Sequence, residues 1–141
     1  MLNLHLHPTP RGIRNNNPGN IRLNPRINWV GEVKGRDPSF CYFHTMDYGV
    51  RAAGKIFLTY QREDKLMSIN AMINRWAPPS ENNTSAYVLA VEKACNDPFG
   101  AYELDSAAKL SAFLRAVFIH ENGGNYVTAG ALNNGCKLAL G

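Results

Sequence analysis

The chain has 141 residues, of which 45% are hydrophobic and 18% charged, so its composition fits one globular domain with a single apolar core. No apolar run approaches the ~20 residues that a membrane-spanning helix needs, so we expect no membrane partner. Fifteen Lys and Arg against eleven Asp and Glu give a formal charge of +4, which suits a polyanionic partner such as nucleic acid or a bacterial cell wall. Because the basic residues are scattered and form no helical stripe, nucleic acid is the weaker alternative.

The N-terminal residues 1–10 are too few and too rich in His and Pro for a secretory signal peptide, and we interpret them as a flexible arm of a single 1–141 domain. We therefore expect synthesis in the bacterial cytoplasm and delivery to the cell wall by a virion, a lysis system or a secretion machinery. Cys41, Cys95 and Cys136 show no metal-binding or redox spacing, which favours free, buried thiols. The expectation is a monomer that needs no metal and no cofactor.

The first part of the chain, residues 11–46, is dense in Asn, Pro and Gly, which excludes long helices. Two short segments, 28–33 and 39–43, have extended patterns and are separated by the turn-forming residues 34–38. This arrangement predicts a small β-hairpin near the N-terminus.

Helical patterns fill the rest of the chain. Predicted N-caps open four helices: Asp47, Ser68, Thr84, and either Asp105 or Ser106. The second helix ends before Pro78, the fourth ends at Gly123, and a final short helix covers about 128–140. The sequence therefore predicts a mainly α fold of the α+β type, with one small hairpin.

The fourth helix carries a carboxylate where its pattern calls for an apolar residue. Leu110, Leu114 and Val117 step by four and three residues along the core-facing stripe, and the next step of four reaches Glu121. Burial and a helix C-terminus both disfavour the charged form of a carboxyl group, which is how a protein builds a proton donor for neutral pH. A structural glutamate at a frayed helix end is an equally good interpretation of the periodicity alone.

Three motifs are long or unusual enough to be compared with known families: RGIRNNNPGNIR at 11–22, RWAPPSENNT at 75–84 and HENG at 120–123. Together with WVG at 29–31, they resemble motifs of phage and prophage proteins described as virion-associated or lysozyme-like peptidoglycan hydrolases. The resemblance extends over nearly the whole chain from the first motif to the last. It implies an enzyme that acts on the glycan strands of bacterial peptidoglycan.

A looser resemblance implies a mechanism. In lysozyme-superfamily glucosaminidases and lytic transglycosylases, a helix ending in Glu-Ser-Gly precedes an Asn-containing turn and a Trp-x-Gly segment. Here NPGNIR at 17–22 is similar to that turn and WVG at 29–31 to Trp-x-Gly, whereas the Glu-bearing helix comes last, at 120–124. The order resembles a circular permutation of the lysozyme-like fold. It implies that Glu121 is the catalytic acid/base and lies beside the 17–22 turn.

A second catalytic carboxyl remains open. Glycosidases usually place two carboxyls across the scissile bond, and Glu32 and Asp37 in the hairpin region are the candidates for catalysis beside Glu121. Lytic transglycosylases resemble these enzymes but need one Glu, because the 6-hydroxyl of the sugar attacks. Asp37 before Pro38 is also an ordinary turn residue, and Glu32 also fits a solvent-facing position.

The candidate substrate contacts share a side chain that can hydrogen-bond to a sugar or stack on its ring: Glu81, Asn82, Asn83, Tyr87, Trp29 and Asn20. Glu81 lies in the stiff polar loop 78–83 and is also the alternative catalytic acid. For Tyr87 and Trp29, packing in the core is the competing interpretation.

Three functions are consistent with these features. The first is a peptidoglycan-cleaving enzyme, either a lysozyme (muramidase) or a lytic transglycosylase. The second is a non-catalytic phage virion structural protein or cell-wall-binding protein that has a lysozyme-like shape. The third, motivated by the basic charge, is a nucleic-acid-binding phage protein.

Overall fold

The computed structural model describes residues 8–97 and 100–141, and six helices contain most of them. In chain order they are α1 (Arg11–Arg14), α2 (Met46–Arg62), α3 (Ile69–Trp76), α4 (Thr84–Ala94), α5 (Ala107–Asn122) and α6 (Ala129–Leu140). The predicted mainly α fold is confirmed at this level. Of the predicted N-terminal arm, residues 1–7 lie outside the described residues. None of the helices in the described ranges is both long enough and apolar enough to cross a membrane.

The core is built around α2, which packs against α6, α5 and α3. Small residues allow α2 and α6 to approach closely: a Cβ added to Gly54 would lie 2.9 Å from the Ala139 Cβ, and one added to Gly135 would lie 2.5 Å from the Val50 Cβ. Interiors are packed too tightly to absorb such contacts without a shift. The glycines are therefore part of the geometry of this helix pair.

Three predicted helix starts are confirmed with their side-chain bonds. Ser68, Ser106 and Thr128 are the N-caps of α3, α5 and α6, and each hydroxyl accepts from the backbone amide three residues later, at 3.0, 3.1 and 3.2 Å. The predicted end of α5 is also confirmed, because Gly123 follows the helix in the left-handed conformation, with φ of 71°.

The predicted cap of α2 is wrong. Thr45 occupies the cap position without a side-chain bond, and Asp47 lies inside the first turn. There the Asp47 carboxylate accepts a hydrogen bond from the Asn134 side chain of α6. An acidic residue in the first turn still complements the helix dipole, so Asp47 stabilises the start of α2 from a position two residues later than the cap.

The predicted cap of α4 is displaced by one residue. Asn83 is the N-cap, and its side-chain oxygen accepts from the Ala86 amide at 3.3 Å. Thr84 is the first helical residue and is buried, and its hydroxyl donates to the Ala77 carbonyl at 2.6 Å. Asn and Thr are both suitable N-cap residues by type. Because the Thr84 hydroxyl bonds to the Ala77 carbonyl after α3, Asn83 is the residue that caps α4.

The predicted β-hairpin does not form a ladder. The described residues of this region contain only isolated antiparallel bridges, between Arg22 and Phe40 and between Glu32 and Phe43. The first predicted strand, 28–33, is interrupted by a turn in which the Glu32 amide donates to the carbonyl of Trp29 at 3.0 Å. Gly31 in this turn has φ of 80°, a conformation that ends extended pairing.

Asparagine side chains replace the missing ladder in segment 8–45. Asn17 is fully buried: its Nδ2 donates to the carbonyls of Ile21 and Cys41 at 3.0 Å, and its Oδ1 accepts from the Ile21 amide at 3.0 Å. Asn16 Nδ2 donates to the Phe43 carbonyl at 3.0 Å. Buried backbone groups need partners, and in this segment side chains supply them.

Candidate active site

Glu121 lies in the last turn of α5, as its periodicity predicts. Leu110, Leu114 and Val117 are fully buried along the same stripe, whereas Glu121 is half-buried and lines an open cleft of about 660 Å³. The core-facing stripe thus ends at the floor of a cleft and delivers a carboxyl group there. His120, beside it in sequence, is exposed, as expected.

Three side chains donate hydrogen bonds to the Glu121 carboxyl. Asn20 Nδ2 donates to Oε1 at 3.0 Å, whereas Tyr87 Oη and Trp76 Nε1 donate to Oε2 at 2.8 and 3.3 Å. Trp76 Nε1 also lies 3.1 Å from Tyr87 Oη and donates to it. The carboxyl therefore joins α3, α4 and α5 to the N-terminal segment, and both of its oxygens have fixed positions.

The predicted proximity of Glu121 to the 17–22 turn is confirmed. Besides its bond to the carboxyl, Asn20 Nδ2 lies 3.3 Å from the Glu121 carbonyl, and Asn122 Nδ2 donates to the Pro18 carbonyl at 2.8 Å. Asn20 has φ of 51°, a left-handed conformation that asparagine tolerates better than most residues. This conformation belongs to the turn that brings the Asn20 amide to the end of α5.

Tyr87 is placed as a partner of Glu121 and not as a surface for a sugar ring. Its side chain is 2% exposed, and it does not line the cleft. Burial, together with the negative charge of Glu121, raises the pKa of the Tyr87 hydroxyl, which therefore stays a hydrogen-bond donor. The His120 ring stacks on the Tyr87 ring at a centroid distance of 3.8 Å. The position of Tyr87 therefore agrees with core packing, the competing interpretation.

The cleft brings together several residues that the sequence analysis selected. Glu81 and Asn82 from the 78–83 loop line it with Asn20, Trp76 and Glu121. Glu81 is thus the second carboxyl that shares the cleft with Glu121. The cleft lining also includes residues that the sequence analysis did not place in the site, and they share long cationic or aromatic side chains: Arg11, Arg22, Phe40 and Tyr60.

Asp37 lies in a turn and does not line this cleft. Its Oδ1 accepts from the amides of Ser39 and Phe40 at 2.8 and 2.9 Å, and its Oδ2 accepts from Asn15 Nδ2 at 3.0 Å. These bonds, led by the one from the Ser39 amide, lower the pKa of Asp37 to about 2. The arrangement is that of a structural turn residue, the alternative that the sequence left open.

Glu32, a candidate second catalytic carboxyl, is also absent from the cleft lining, and it does not take the solvent-facing alternative either. Its side chain is 2% exposed; Oε1 accepts from the Trp29 amide at 3.1 Å, and Oε2 lies 3.1 Å from Lys34 Nζ. Burial, followed by the charge of Glu32, raises the pKa of the neighbouring Cys41 thiol to about 12. Both groups belong to the interior of the N-terminal segment.

The two remaining predicted contacts lie in adjacent depressions. Trp29 lines an apolar groove of about 280 Å³ that shares Ile21, Arg22, Ile56 and Tyr60 with the cleft. Asn83 lines a polar depression of about 450 Å³ that shares Asn82 with the cleft, while its side chain also caps α4. These positions are next to the cleft that holds Glu121 but are not part of its lining.

The local sequence carried a signal for some of the missed residues. Arg11 and Arg22 open and close the RGIRNNNPGNIR motif, and Phe40 lies in the second extended segment, but their convergence depends on the bridge between Arg22 and Phe40. No group of three or more His, Cys, Asp or Glu side chains that could hold a metal ion occurs in the described part of the chain.

A phage protein is similar to this chain over nearly its whole length. No family model matches the chain. The chain is similar to protein P5 of Pseudoalteromonas phage PM2, with 34% identity over 138 residues, which cover 96% of this chain and 85% of the relative. The name of that relative states no activity.

Proposed function

The chain belongs to the family of protein P5 of Pseudoalteromonas phage PM2, and we propose that it is a phage enzyme that cleaves the glycan strands of peptidoglycan. Glu121 acts as the general acid/base in this proposal. The observation that carries it is a half-buried carboxyl on the floor of an open cleft, oriented by hydrogen bonds from Asn20, Trp76 and Tyr87. Preorganised carboxyls in clefts are the usual catalysts of glycoside cleavage.

The hydrogen bonds assign different tasks to the two oxygens of Glu121. Oε2 accepts from Tyr87 and shares the single N–H of Trp76 with the Tyr87 hydroxyl oxygen, so both of its lone pairs face donors. Oε1 accepts from Asn20 alone and keeps one lone pair. We assign proton transfer to Oε1, which would protonate the glycosidic oxygen as the bond to the leaving sugar breaks.

Glu81 decides between the two variants of the mechanism. It shares the cleft with Glu121, whereas Glu32 and Asp37 are engaged in the interior and in a turn. If Glu81 activates water, the enzyme is a hydrolase and Glu81→Gln removes most of the activity. If the 6-hydroxyl of the sugar attacks, Glu81→Gln is mild and the products carry 1,6-anhydro ends. Mass spectrometry of digested peptidoglycan reads both outcomes.

The lysozyme-like, circularly permuted fold is part of the same proposal. It is supported by the contact between the 17–22 turn and the end of α5, where a permuted chain would join them in space without joining them in sequence. An experimental structure with a bound glycan fragment tests it. Sugar rings that run past Glu121 and Glu81 would agree with the permuted fold; rings bound elsewhere would contradict it.

The alternative function is a non-catalytic virion or wall-binding protein, and one observation favours it. The Glu121 carboxyl connects three helices and the N-terminal turn, which is also what a purely structural carboxylate would do. The two functions differ in what happens when the carboxyl becomes an amide. A structural group affects stability, whereas a catalytic group affects turnover.

The deciding experiment is Glu121→Gln, with the exposed Glu103→Gln as the matched control. The Gln oxygen can still accept from Tyr87 and Trp76, and Asn20 can turn its amide to accept from the new NH₂ group. We expect the variant to fold with a melting temperature close to that of the wild type, while cleavage of purified cell walls falls ~10²-fold or more.

Glu103→Gln should clear cell walls at the wild-type rate. A folded Glu121→Gln protein that also does so would contradict the assignment of Glu121. Wild-type protein that leaves the glycan strands intact, as read by mass spectrometry, would favour the non-catalytic alternative.

A further inference from the structure

We infer that the cleft contains a subsite for a carboxylate of the substrate, built by Arg11, Arg22 and Phe40. The inference rests on the proposed function for the identity of the polymer, and it adds the chemical group that the cleft selects. Its basis is the placement of two guanidinium groups around one aromatic ring in the cleft that also holds Glu121.

The backbone fixes this arrangement. Arg22 and Phe40 form an antiparallel bridge, flanked by bonds from the Cys41 amide to the Ile21 carbonyl at 3.0 Å and from the Leu23 amide to the Ser39 carbonyl at 2.8 Å. Residues that face each other in such a bridge project to the same side. The Arg22 side chain is therefore held beside the Phe40 ring, with 5.5 Å between the guanidinium carbon and the ring centre.

Arg11 reaches the same ring from α1. Its guanidinium carbon lies 5.2 Å from the centre of Phe40, and its Nε lies 3.8 Å from the Asp37 carboxylate. That carboxylate already accepts bonds from two backbone amides and from Asn15, so it is shared among several donors. Arg11 is thus anchored at one end and keeps most of its donors for a ligand.

Arg22 has more donor capacity to offer. Among the residues that the structure describes, it forms no salt bridge and no side-chain hydrogen bond. A guanidinium group against an aromatic face is weakly hydrated and presents its N–H edge outward. Each of the two groups can bind a planar carboxylate through paired, charge-assisted hydrogen bonds, and both line the same cleft.

The chemistry of the substrate supplies such an anion. Peptidoglycan carries carboxylates on its peptide stems, and strands that have lost their peptides carry one on each lactyl group. A neutral polymer of N-acetylglucosamine has none. Glu81 also lines the cleft, and two arginines in the same lining offset the repulsion between its carboxylate and an anionic strand. The subsite therefore selects a carboxylate-bearing glycan over a neutral one.

Equilibrium binding tests the inference with the full-length protein, using Glu121→Gln to prevent turnover. Three ligands are compared by calorimetry: a neutral N-acetylglucosamine tetramer, amidase-treated glycan strands with free lactyl carboxylates, and soluble glycan–peptide fragments with peptide carboxylates. We expect Arg22→Gln to weaken binding of a carboxylate-bearing ligand about tenfold or more and to leave the neutral tetramer unchanged. The carboxylate-bearing ligand whose binding is weakened by Arg22→Gln shows whether the bound group is a lactyl or a peptide carboxylate.

Arg36→Gln is the matched control, because the Arg36 guanidinium carbon lies 5.0 Å from the centre of the Tyr42 ring but the residue does not line the cleft. It should leave all three affinities unchanged. Phe40→Leu removes the aromatic platform and should weaken the same ligand as Arg22→Gln. Added salt should also weaken that ligand more than the neutral one.

The outcomes separate this inference from the proposed function. If the protein cleaves nothing, carboxylate-dependent binding and its loss in Arg22→Gln remain measurable. The inference is overturned if the Glu121→Gln protein with Arg22 intact binds the neutral and carboxylate ligands equally, if it binds none of them, or if the added Arg22→Gln weakens all of them to the same degree.

Discussion

Segment 8–45 and the helical region that begins at Met46 are held together by different forces. In the helical region, fully buried apolar side chains such as Phe57, Phe113 and Leu114 fill the space between helices whose backbone groups satisfy one another. In the N-terminal segment, the backbone has few regular partners, and buried Asn17 with its neighbours supplies them. A segment without a ladder thus needs polar side chains in its interior.

This difference explains where the candidate site is. The irregular segment, with Asn16 and Asn20 in left-handed conformations, places the Asn20 side-chain amide at the end of α5. Glu121 accepts from Asn20 on one side and from Trp76 and Tyr87 on the other. The site therefore lies at the border of the two regions and depends on both.

The largest effect on stability should come from the apolar core. Leu114→Ala removes a fully buried side chain of α5, which we expect to lower the free energy of unfolding by ~2–5 kcal/mol in urea titrations. Leu89, 66% exposed on α4, is the matched position, and Leu89→Ala should stay within ~0.5 kcal/mol of the wild type. Equal losses of unfolding free energy at the two positions would mean that burial of apolar side chains is not what stabilises the helical region.

The next largest effect should come from Asn17→Ala, which leaves the Ile21 amide without its partner and removes one of two donors from each of the Ile21 and Cys41 carbonyls. We expect a loss on the order of 3 kcal/mol. Hydrogen exchange should rise in 11–45 and stay near wild-type values in α2–α6, because segments can open separately. The exposed Asn133→Ala on α6 is the control and should be neutral.

Asn17→Ala also tests whether the candidate site depends on the N-terminal segment. Since the Asn17 carbonyl accepts from the Asn20 amide at 3.0 Å, loosening the turn should displace Asn20 from Glu121 and reduce cleavage. If exchange protection were lost in both regions at once, the two regions would unfold as one cooperative unit. That result would contradict the view that different forces hold them together.

Asp37→Asn should have a smaller effect that depends on pH. The pKa of Asp37 is lowered to about 2 by the hydrogen bonds that it accepts, whereas an unfolded Asp titrates near ~3.9. The stability that the ionised group adds is therefore complete above ~4 and is lost as the pH falls through about 2. The melting temperatures of wild type and variant should differ at pH 7, approach each other below pH ~4 and converge only below about 2.

Asp105→Asn is the control for this pH series, since its carboxylate is 60% exposed and, within residues 8–97 and 100–141, pairs with Lys109 alone. Its melting temperature should follow that of the wild type throughout. A constant difference between Asp37→Asn and wild type from pH 7 to pH 2 would show that the charge of Asp37 contributes nothing to the turn.

The sequence predicts the helical region better than the segment before it, for a physical reason. Ser68 and Ser106 cap helices through bonds to residues three positions away, and the stripe leading to Glu121 repeats every three or four residues, so these signals are local. Glu121 was therefore found from periodicity. The turn at Gly31 that interrupts the predicted strand was missed, because a positive φ gives no periodic signal.

The rest of the site depends on contacts between distant residues. Tyr87 bonds to Glu121 across 34 positions and Asn20 across 101, and no local pattern encodes either pair. For the same reason the sequence left Tyr87 open between a sugar contact and core packing, and its bond to the carboxyl was not predicted. Arg22 and Phe40 meet through a single isolated bridge, which is too short to leave an alternating pattern in the sequence.

The smallest effect, and the finest test of the comparison, concerns the start of α5. The Ser106 hydroxyl accepts from the Lys109 amide at 3.1 Å, so Ser106→Ala leaves that amide without its partner. We expect a loss of ~1 kcal/mol, which for a chain of this length corresponds to a melting temperature about 3–4 °C lower. Thr45→Ala should cost less, because Thr45 precedes α2 without a side-chain cap bond.

The two cap variants also show how far a local change in the helical region reaches. Glu121 lies at the opposite end of α5 from Ser106, and its orientation is set by Asn20, Trp76 and Tyr87. Ser106→Ala should therefore lower the melting temperature while cleavage at 25 °C stays at the wild-type rate, because the helix remains formed there and the donors are untouched. A cleavage rate that fell with the cap, well below the melting temperature, would mean that fraying at one end of α5 reaches the carboxyl at the other.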